Sequence, residues 1–375
     1  MRILIGSDYF YPILPGGGER RMYEVGRRLA KNHEVHVVTR RLENLPVHEV
    51  SENMHIHRVY VPIKKLTLEP FMNGLLFMTG SIFKTLQLGE FDVYAPQHFF
   101  PVPSSWLSSK LLGTPIVVTI HDVFFNREWI QQYGFKGSLM SIFENITLNM
   151  PYTGVITVSN SSKEKLVSGG IPRETIDVIP NGVDLEFFDG VKAEKSKRLR
   201  IIYVGRLIEY KHVDELMTAF SKLKVDVELY IVGVGPERKN LEELAVKLGI
   251  VDRTTFTGFI SDREKVELLK SSHVAVLAST VEGFGIAPVE AMAAGVPTLS
   301  SDIPALREVA DDGRAGILFR PRDVEDLRAK LEQLLKEEGL REEFAEKGYK
   351  LVKEKYSWDE VAKAVEKSLK SRLRA

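Results

Sequence analysis

The chain has 375 residues, 44% of them apolar, and balances 51 Lys and Arg against 51 Asp and Glu. That length suggests roughly two domains; the charge balance holds in both halves, gives no basic nucleic-acid footprint, and predicts no nucleic-acid partner. Cysteine is absent, which excludes disulfides, thiolate metal sites and cysteine nucleophiles together.

No charged-then-apolar leader precedes the first apolar run, so a cytoplasmic protein is expected. Few glutamines, no cysteine and many charges suit a thermostable chain. "RILIG" opens as a strand, and "ERRMYEVGRRLA" follows as a helix with Met22, Val25 and Leu29 on one face. Between them "PGGGER" sets Gly16, Gly17 and Gly18 after the first strand and before the first helix. Backbone amides there have room to meet a phosphate or a sugar; a plain loop is the competing reading. "EVHVV", "HIHRV", "DVYA", "PIVVTI" and "GVITV" continue as strands. The apolar run Phe71–Phe83 follows Lys64 and Lys65, and it falls short of the ~20 residues that span a bilayer. It reads either as a packed helix or as a surface touching membrane or a lipid-linked substrate. "VVTIHD" puts His121 and Asp122 at a strand end, where a histidine is structural, solvated or aimed at a ligand.

"IPNGVDLEFFDGVKAEKSKR" is rich in turn formers and charge and poor in periodic signal, so it reads as a linker. The pattern then restarts with "LRIIYVG", a helix from about His212, "VELYIVG", a further helix, "TTFTG" and "HVAVLA". The expected organisation is an α/β chain of two doubly wound parallel-sheet domains facing a cleft, 1–180 and 199–356, with a linker over 181–198.

Ligands of such sheets lie beyond the carboxyl ends of the strands. Arg206 and Lys211 follow the strand "IIYV" and suit a diphosphate; Glu209 and Asp214 are the partners of a plain surface reading. In "EGFGIAPVEAMAAG", Gly283 and Gly285 let backbone approach a ligand, and Pro288 suits the first turn of the next helix. Two cations, loop amides and a helix start make a phosphate site. Glu290 is expected in that first turn, serving either the helix dipole or the vicinal hydroxyls of a ribose. Glu282 stands in the loop, suited to a sugar hydroxyl or a developing positive charge. "GVGPER" lacks the third glycine of a dinucleotide fingerprint, and Asp311-Asp312 reads as a turn. No cluster has metal-ligand spacing, so neither a metal nor a cofactor is expected.

"PGGGER", "TIHD", "VITVSNSSKE", "VIPNGVD", "YVGRLIEYKHVDEL" and "EGFGIAPVEAMAAGVPTLSSD", in this order, resemble glycosyltransferase family 4. The resemblance covers nearly the whole chain and is strongest from Ile201 to Asp302. It implies the GT-B fold and a retaining enzyme with a nucleotide-diphosphate sugar as co-substrate. It also implies that Glu290 binds the ribose, that Gly283, Phe284, Gly285 and Ile286 line the sugar and phosphates, and that Arg206 and Lys211 stabilise the leaving diphosphate. Glu282 and His121 would sit by the donor sugar, Gly16 and Gly17 near the phosphates, and Gly258 and Phe259 near the base. A carboxy-terminal helix, about 357–375, would return to the first domain. The nucleotide, the sugar and the acceptor, whether glycan, lipid or small molecule, are left open. The rival from another class is a non-catalytic nucleotide-sugar or glycan-binding protein on the same scaffold.

Overall fold

A computed structural model describes residues 1–14, 16–42, 44–61, 69–97, 99–121 and 135–373, with backbone alone at 69–71 and 135–136. Asp122, Lys64 and Lys65 lie outside the described residues. The chain divides into two compact units, Met1–Asn181 with Trp358–Ala375, and Gly182–Ser357.

In the first unit, β1 (Arg2–Gly6), β2 (Glu34–Arg41), β3 (His48–Ser51), β4 (Met54–Tyr60) and β5 (Val93–Pro96) form a sheet in the order β3-β4-β2-β1-β5. Strands β6 (Val117–Ile120), β7 (Gly154–Thr157) and β8 (Ile176–Val178) form a second. Parallel bridges from Tyr94 to Ile116 and from Gln97 to Thr119 carry the pairing from β5 to β6. Pairing is parallel except at β3, which joins β4 antiparallel through a turn with Glu52 and Asn53 both at positive φ, 50° and 62°. Two such residues are the mark of a type I′ hairpin.

Strands β1, β5, β6 and β7 are apolar on both sides because helices cover both faces. Ile3, Ile5, Val35, Val37 and Ile56 pack under the helices Gly17–Leu29 and Trp358–Arg372, through Met22, Val25 and Leu29 of the first and Val361, Val365 and Leu369 of the second. Leu4, Val38, Tyr94 and Val118 face the helices Glu69–Leu88, Pro101–Leu112 and Phe135–Leu148. Glu19 in the first turn and Arg27 and Arg28 in the last turn of Gly17–Leu29 match its dipole. The apolar run Phe71–Phe83 lies in Glu69–Leu88, with Phe77 fully buried and Phe83 exposed. Among the described residues no helix is long and apolar enough to cross a membrane.

The second unit is one parallel sheet of β9 (Leu199–Val204), β10 (Val227–Val232), β11 (Thr254–Gly258), β12 (Val274–Leu277), β13 (Thr298–Ser301) and β14 (Ile317–Phe319). Its order is β11-β10-β9-β12-β13-β14. The chain thus winds outward from β9 on one side and from β12 on the other, and the crevice between their carboxyl ends is the switch point where open sheets take ligands. The stretch 181–198, expected as a linker, carries the helix Leu185–Gly190, capped by the Asp184 side chain accepting from Phe187 N at 3.1 Å. Lys195 then donates to the Ser272 carbonyl at 2.5 Å.

Candidate functional site

Three turns meet at the carboxyl ends of β9, β10 and β12. Gly205 N donates to Val232 O at 3.0 Å, Leu207 N to Val234 O at 2.9 Å, and Thr280 N to Tyr210 O at 3.0 Å. Glycine makes this approach possible. A Cβ on Gly233 (φ 142°) would strike the carbonyl oxygen of Gly205, and one on Gly235 that of Leu207. The incomplete "GVG" signal therefore marks backbone packed on backbone, which shapes the loop that carries Arg206.

Lys211 and Glu282 meet across the β9/β12 crevice in a short ion pair, their side chains only 12% and 13% exposed. Lys211 thus finds its partner 71 residues away, not in Glu209 or Asp214. Arg206 is exposed and donates to the Tyr210 hydroxyl at 3.0 Å. Beneath it the Tyr203 hydroxyl donates to the Arg206 carbonyl at 2.9 Å, and burial pushes that phenol's pKa well up. The helix Ile286–Ala293 begins at Gly285, whose φ of 98° favours glycine and whose Cβ would lie 2.5 Å from Leu306 Cδ2. Phe284 is buried beside it, its ring edge-on to Tyr356 at 5.7 Å.

Glu290 corrects an expectation. It is the fifth residue of Ile286–Ala293, one turn further in than expected, and that first turn holds no acid. The dipole therefore does not account for it. Its partner is Lys265 at 2.7 Å, from the helix Asp262–Ser271, which Ser261 and Glu264 start with a capping box. Glu282 and Glu290 thus hold separate cations. Gly258 ends β11 at φ 73°, its carbonyl accepting from Gly233 N at 3.0 Å, and Phe259 beyond it is 86% exposed. An exposed aromatic at a strand end is available to stack on a flat ring.

Behind the Lys211 loop, His212 has φ 47° and starts the helix Val213–Ser221. Its Nε2 lies 3.0 Å from Thr280 Oγ1, and its Nδ1 faces Arg322, which also pairs with Glu215 at 2.8 Å. Burial, then Arg322, hold the imidazole below its ordinary pKa, while burial raises the Glu215 carboxyl.

The first unit gathers its own group at the ends of β1, β5 and β6. The helix begins at Gly17, with Gly16 as its extended N-cap. Gly17 and Gly18 therefore form the helix's first turn and not the loop expected before it, with Glu19 of that turn favouring the dipole end. A Cβ on Gly18 would strike Gln97 Nε2 and lie 3.2 Å from the His121 ring, so the helix start, Gln97 and His121 are packed together. Gln97 Oε1 accepts from Ser7 Oγ at 3.0 Å. Burial pushes up the carboxyl pKa of both Asp8, which pairs with Arg40 at 2.9 Å, and Glu19.

Sequence reasoning passed over Gln97, Lys265 and the His212–Thr280–Arg322 group. The strand-end rule that picked His121 also reaches Gln97, one residue beyond β5. The other groups come from helices and distant loops and leave no local signal.

Comparison with known proteins agrees with this architecture. Residues 15–187 match the family model Glycosyltransferase Family 4, and residues 185–351 match Glycosyl transferases group 1. An uncharacterized glycosyltransferase of Methanocaldococcus jannaschii is 29% identical over 97% of this chain and 96% of its own length. The MMP alpha-(1->4)-mannosyltransferase of Mycolicibacterium hassiacum is 31% identical over 73% of this chain and 69% of its own. The Anabaena protein Alr3699/HepE, solved in complex with UDP and glucose, superposes with a TM-score of 0.76 at 18% identity, covering 99% of this chain and all of that one. The chain is a glycosyltransferase of family 4, built on the GT-B fold.

Proposed function

We propose that the protein is a retaining transferase that moves a sugar from a nucleotide-diphosphate donor to an acceptor hydroxyl without a metal ion. The observation that carries this reading is the Lys211–Glu282 pair at the β9/β12 switch point, beside the Gly285 helix start. A cation, loop backbone and a helix N-terminus converge where diphosphate charge accumulates as the sugar–phosphate bond breaks. Arg206, exposed and held by Tyr210, adds a second cation from the same loop. Two fixed cations supply the charge that a bound metal would otherwise bring. Glu282 faces the donor sugar, whose anomeric carbon becomes cation-like. Glu290 takes the ribose hydroxyls, with Lys265 fixing its carboxylate. Gly283 to Ile286 line the sugar and phosphates, and Gly258 and Phe259 meet the base. In the first unit His121 serves the donor sugar, with Gly16 and Gly17 near the phosphates. The UDP bound to the Anabaena relative supports a uridine nucleotide as donor.

Thermal-shift titration with UDP-, GDP- and ADP-sugars, first without metal and then with Mg²⁺, tests the donor. A shift with a UDP-sugar in metal-free buffer is expected; no shift with any nucleotide overturns the reading. Proton NMR of the product then reads the anomeric configuration, and inversion overturns retention. Saturable binding without transfer to any acceptor favours a non-catalytic binding protein.

We further propose that the first unit rests on an anionic membrane surface. Phe83 and Leu86, Leu107 and Leu111, and Ile142 and Ile146 are exposed on three helices that cover the same sheet face. Among the described side chains of these helices no carboxylate is exposed, while Lys84 and Lys110 are basic. Apolar projections with basic neighbours suit anionic headgroups. Wild type is expected to sediment with phosphatidylglycerol vesicles at low salt, and I142E/I146E to stay in solution. Failure of wild type to bind overturns this, as does a dimer that the variant dissolves.

A further inference from the structure

The residue after Lys211 is a non-glycine in the left-handed region: His212 has φ 47° and ψ 45°. A side chain with a Cβ is disfavoured there, and glycine is the usual occupant. The ring accounts for the exception. An arginine nitrogen only donates, and the one here is closest to Nδ1 and 3.4 Å from Nε2, so Nδ1 accepts and Nε2–H donates to Thr280 Oγ1 at 3.0 Å. Arg322 is held in turn by Glu215 at 2.8 Å. The charged groups around the ring are Arg322 and Glu215, with Asp214 and Glu209 from its own stretch of chain. Thr280 also donates its backbone N–H to Tyr210 O at 3.0 Å. Besides the Lys211–Glu282 pair, the loops after β9 and β12 are thus tied at Thr280 from both neighbours of Lys211, by backbone at Tyr210 and by the ring at His212, and the ring is the side-chain tie that a substitution can remove.

We infer that His212 is a positioning residue for the Lys211–Glu282 pair, its neutral imidazole acting as a strut between the two loops, with Arg322 and Glu215 behind it. The inference rests on the transferase reading above and adds to it a residue that touches no substrate. Protonation removes the lone pair that faces Arg322 and sets two cations together, so the strut is present at neutral pH and lost on the acid side. A residue that merely filled the left-handed position would be replaced by glycine without loss.

The test uses H212G, T280V and the double variant, with UDP-glucose as donor. H212G is expected to keep or raise the melting temperature, since glycine relieves the backbone, yet to lose about tenfold in kcat/KM. T280V is expected to lose a similar factor, and the double variant no more than either alone. Wild-type kcat/KM should fall on acidification below neutral pH, with a shallower fall in H212G. Full activity in H212G, or losses that multiply in the double variant, overturns the strut. Calorimetry with UDP keeps the two readings apart. If wild type binds UDP but transfers no sugar, the transferase reading alone has failed. The strut is then judged by UDP affinity, expected to drop about tenfold in H212G and no further in the double variant; equal affinity overturns it.

Discussion

Replacing Lys211 by methionine is expected to lower kcat by about a hundred- to a thousand-fold while the donor KM moves only a few-fold. The factor is that of one preorganised donor removed from a developing anion. The ammonium is held in place by Glu282 and is nearly buried, so its attraction to the leaving diphosphate is not screened as a surface charge would be. That charge grows as the sugar–phosphate bond breaks, which places the loss in turnover and not in ground-state binding. Stability should fall as well, because Glu282 is left without its cation in a poorly solvated place. K211M/E282Q should melt higher than K211M while remaining as inactive. Arg206→Ala is expected to move kcat in the same direction by a smaller factor, since that guanidinium is exposed. Steady-state kinetics decide the matter: unchanged kcat with a raised KM would contradict the assigned role.

The second large effect is structural and sits beneath the site. Gly233→Ala must drive the turn after β10 away from the Gly205 carbonyl, and its φ of 142° is itself closed to alanine. Two backbone bonds go with it, Gly205 N to Val232 O and Gly233 N to Gly258 O, both 3.0 Å. The expected cost is about 3 kcal/mol, or roughly 6–12 °C of melting temperature for a unit of this size. Donor binding should suffer too, because the Arg206 loop rests on that turn. Gly249→Ala is the control: its φ of 65° is also left-handed, but a Cβ there meets open space. It should cost about 1 kcal/mol. Equal melting temperatures for the two variants would show that backbone contact is not what Gly233 serves.

Gly233 also shows how the sequence was legible and where it was not. Inner strands such as β1, β7, β9 and β12 read as apolar runs, because burial on both faces leaves no alternation to confuse. The edge strands β3, β8 and β14 and the short β13 escaped notice. β3 holds four residues, half of them exposed, and its Glu52-Asn53 turn lacks the glycine that announces such hairpins. At the site, Glu282 and Gly285 stood out because a strand end followed by glycines is a local pattern. Their partners were not legible: Lys211 reaches Glu282 across 71 positions and Lys265 reaches Glu290 across 25. Sequence distance hides such pairs, and only the order β9-β12 in the sheet brings the first together. Glu290 was displaced by one turn because Gly285 at positive φ, and no side-chain cap, decides where its helix begins.

The helix Trp358–Arg372 has a consequence for synthesis. Trp358, Val361, Val365 and Leu369 bury among Ile3, Val35 and Val93, strands made some three hundred residues earlier. Until that helix leaves the ribosome the first sheet carries an uncovered apolar groove, whereas Gly182–Ser357 contains all six of its own strands and closes as soon as it emerges. The order of completion is therefore the reverse of the order of translation. A chain released without residues 358–375 presents a finished second unit and a sticky, unfinished first one, the state in which chaperones would find it.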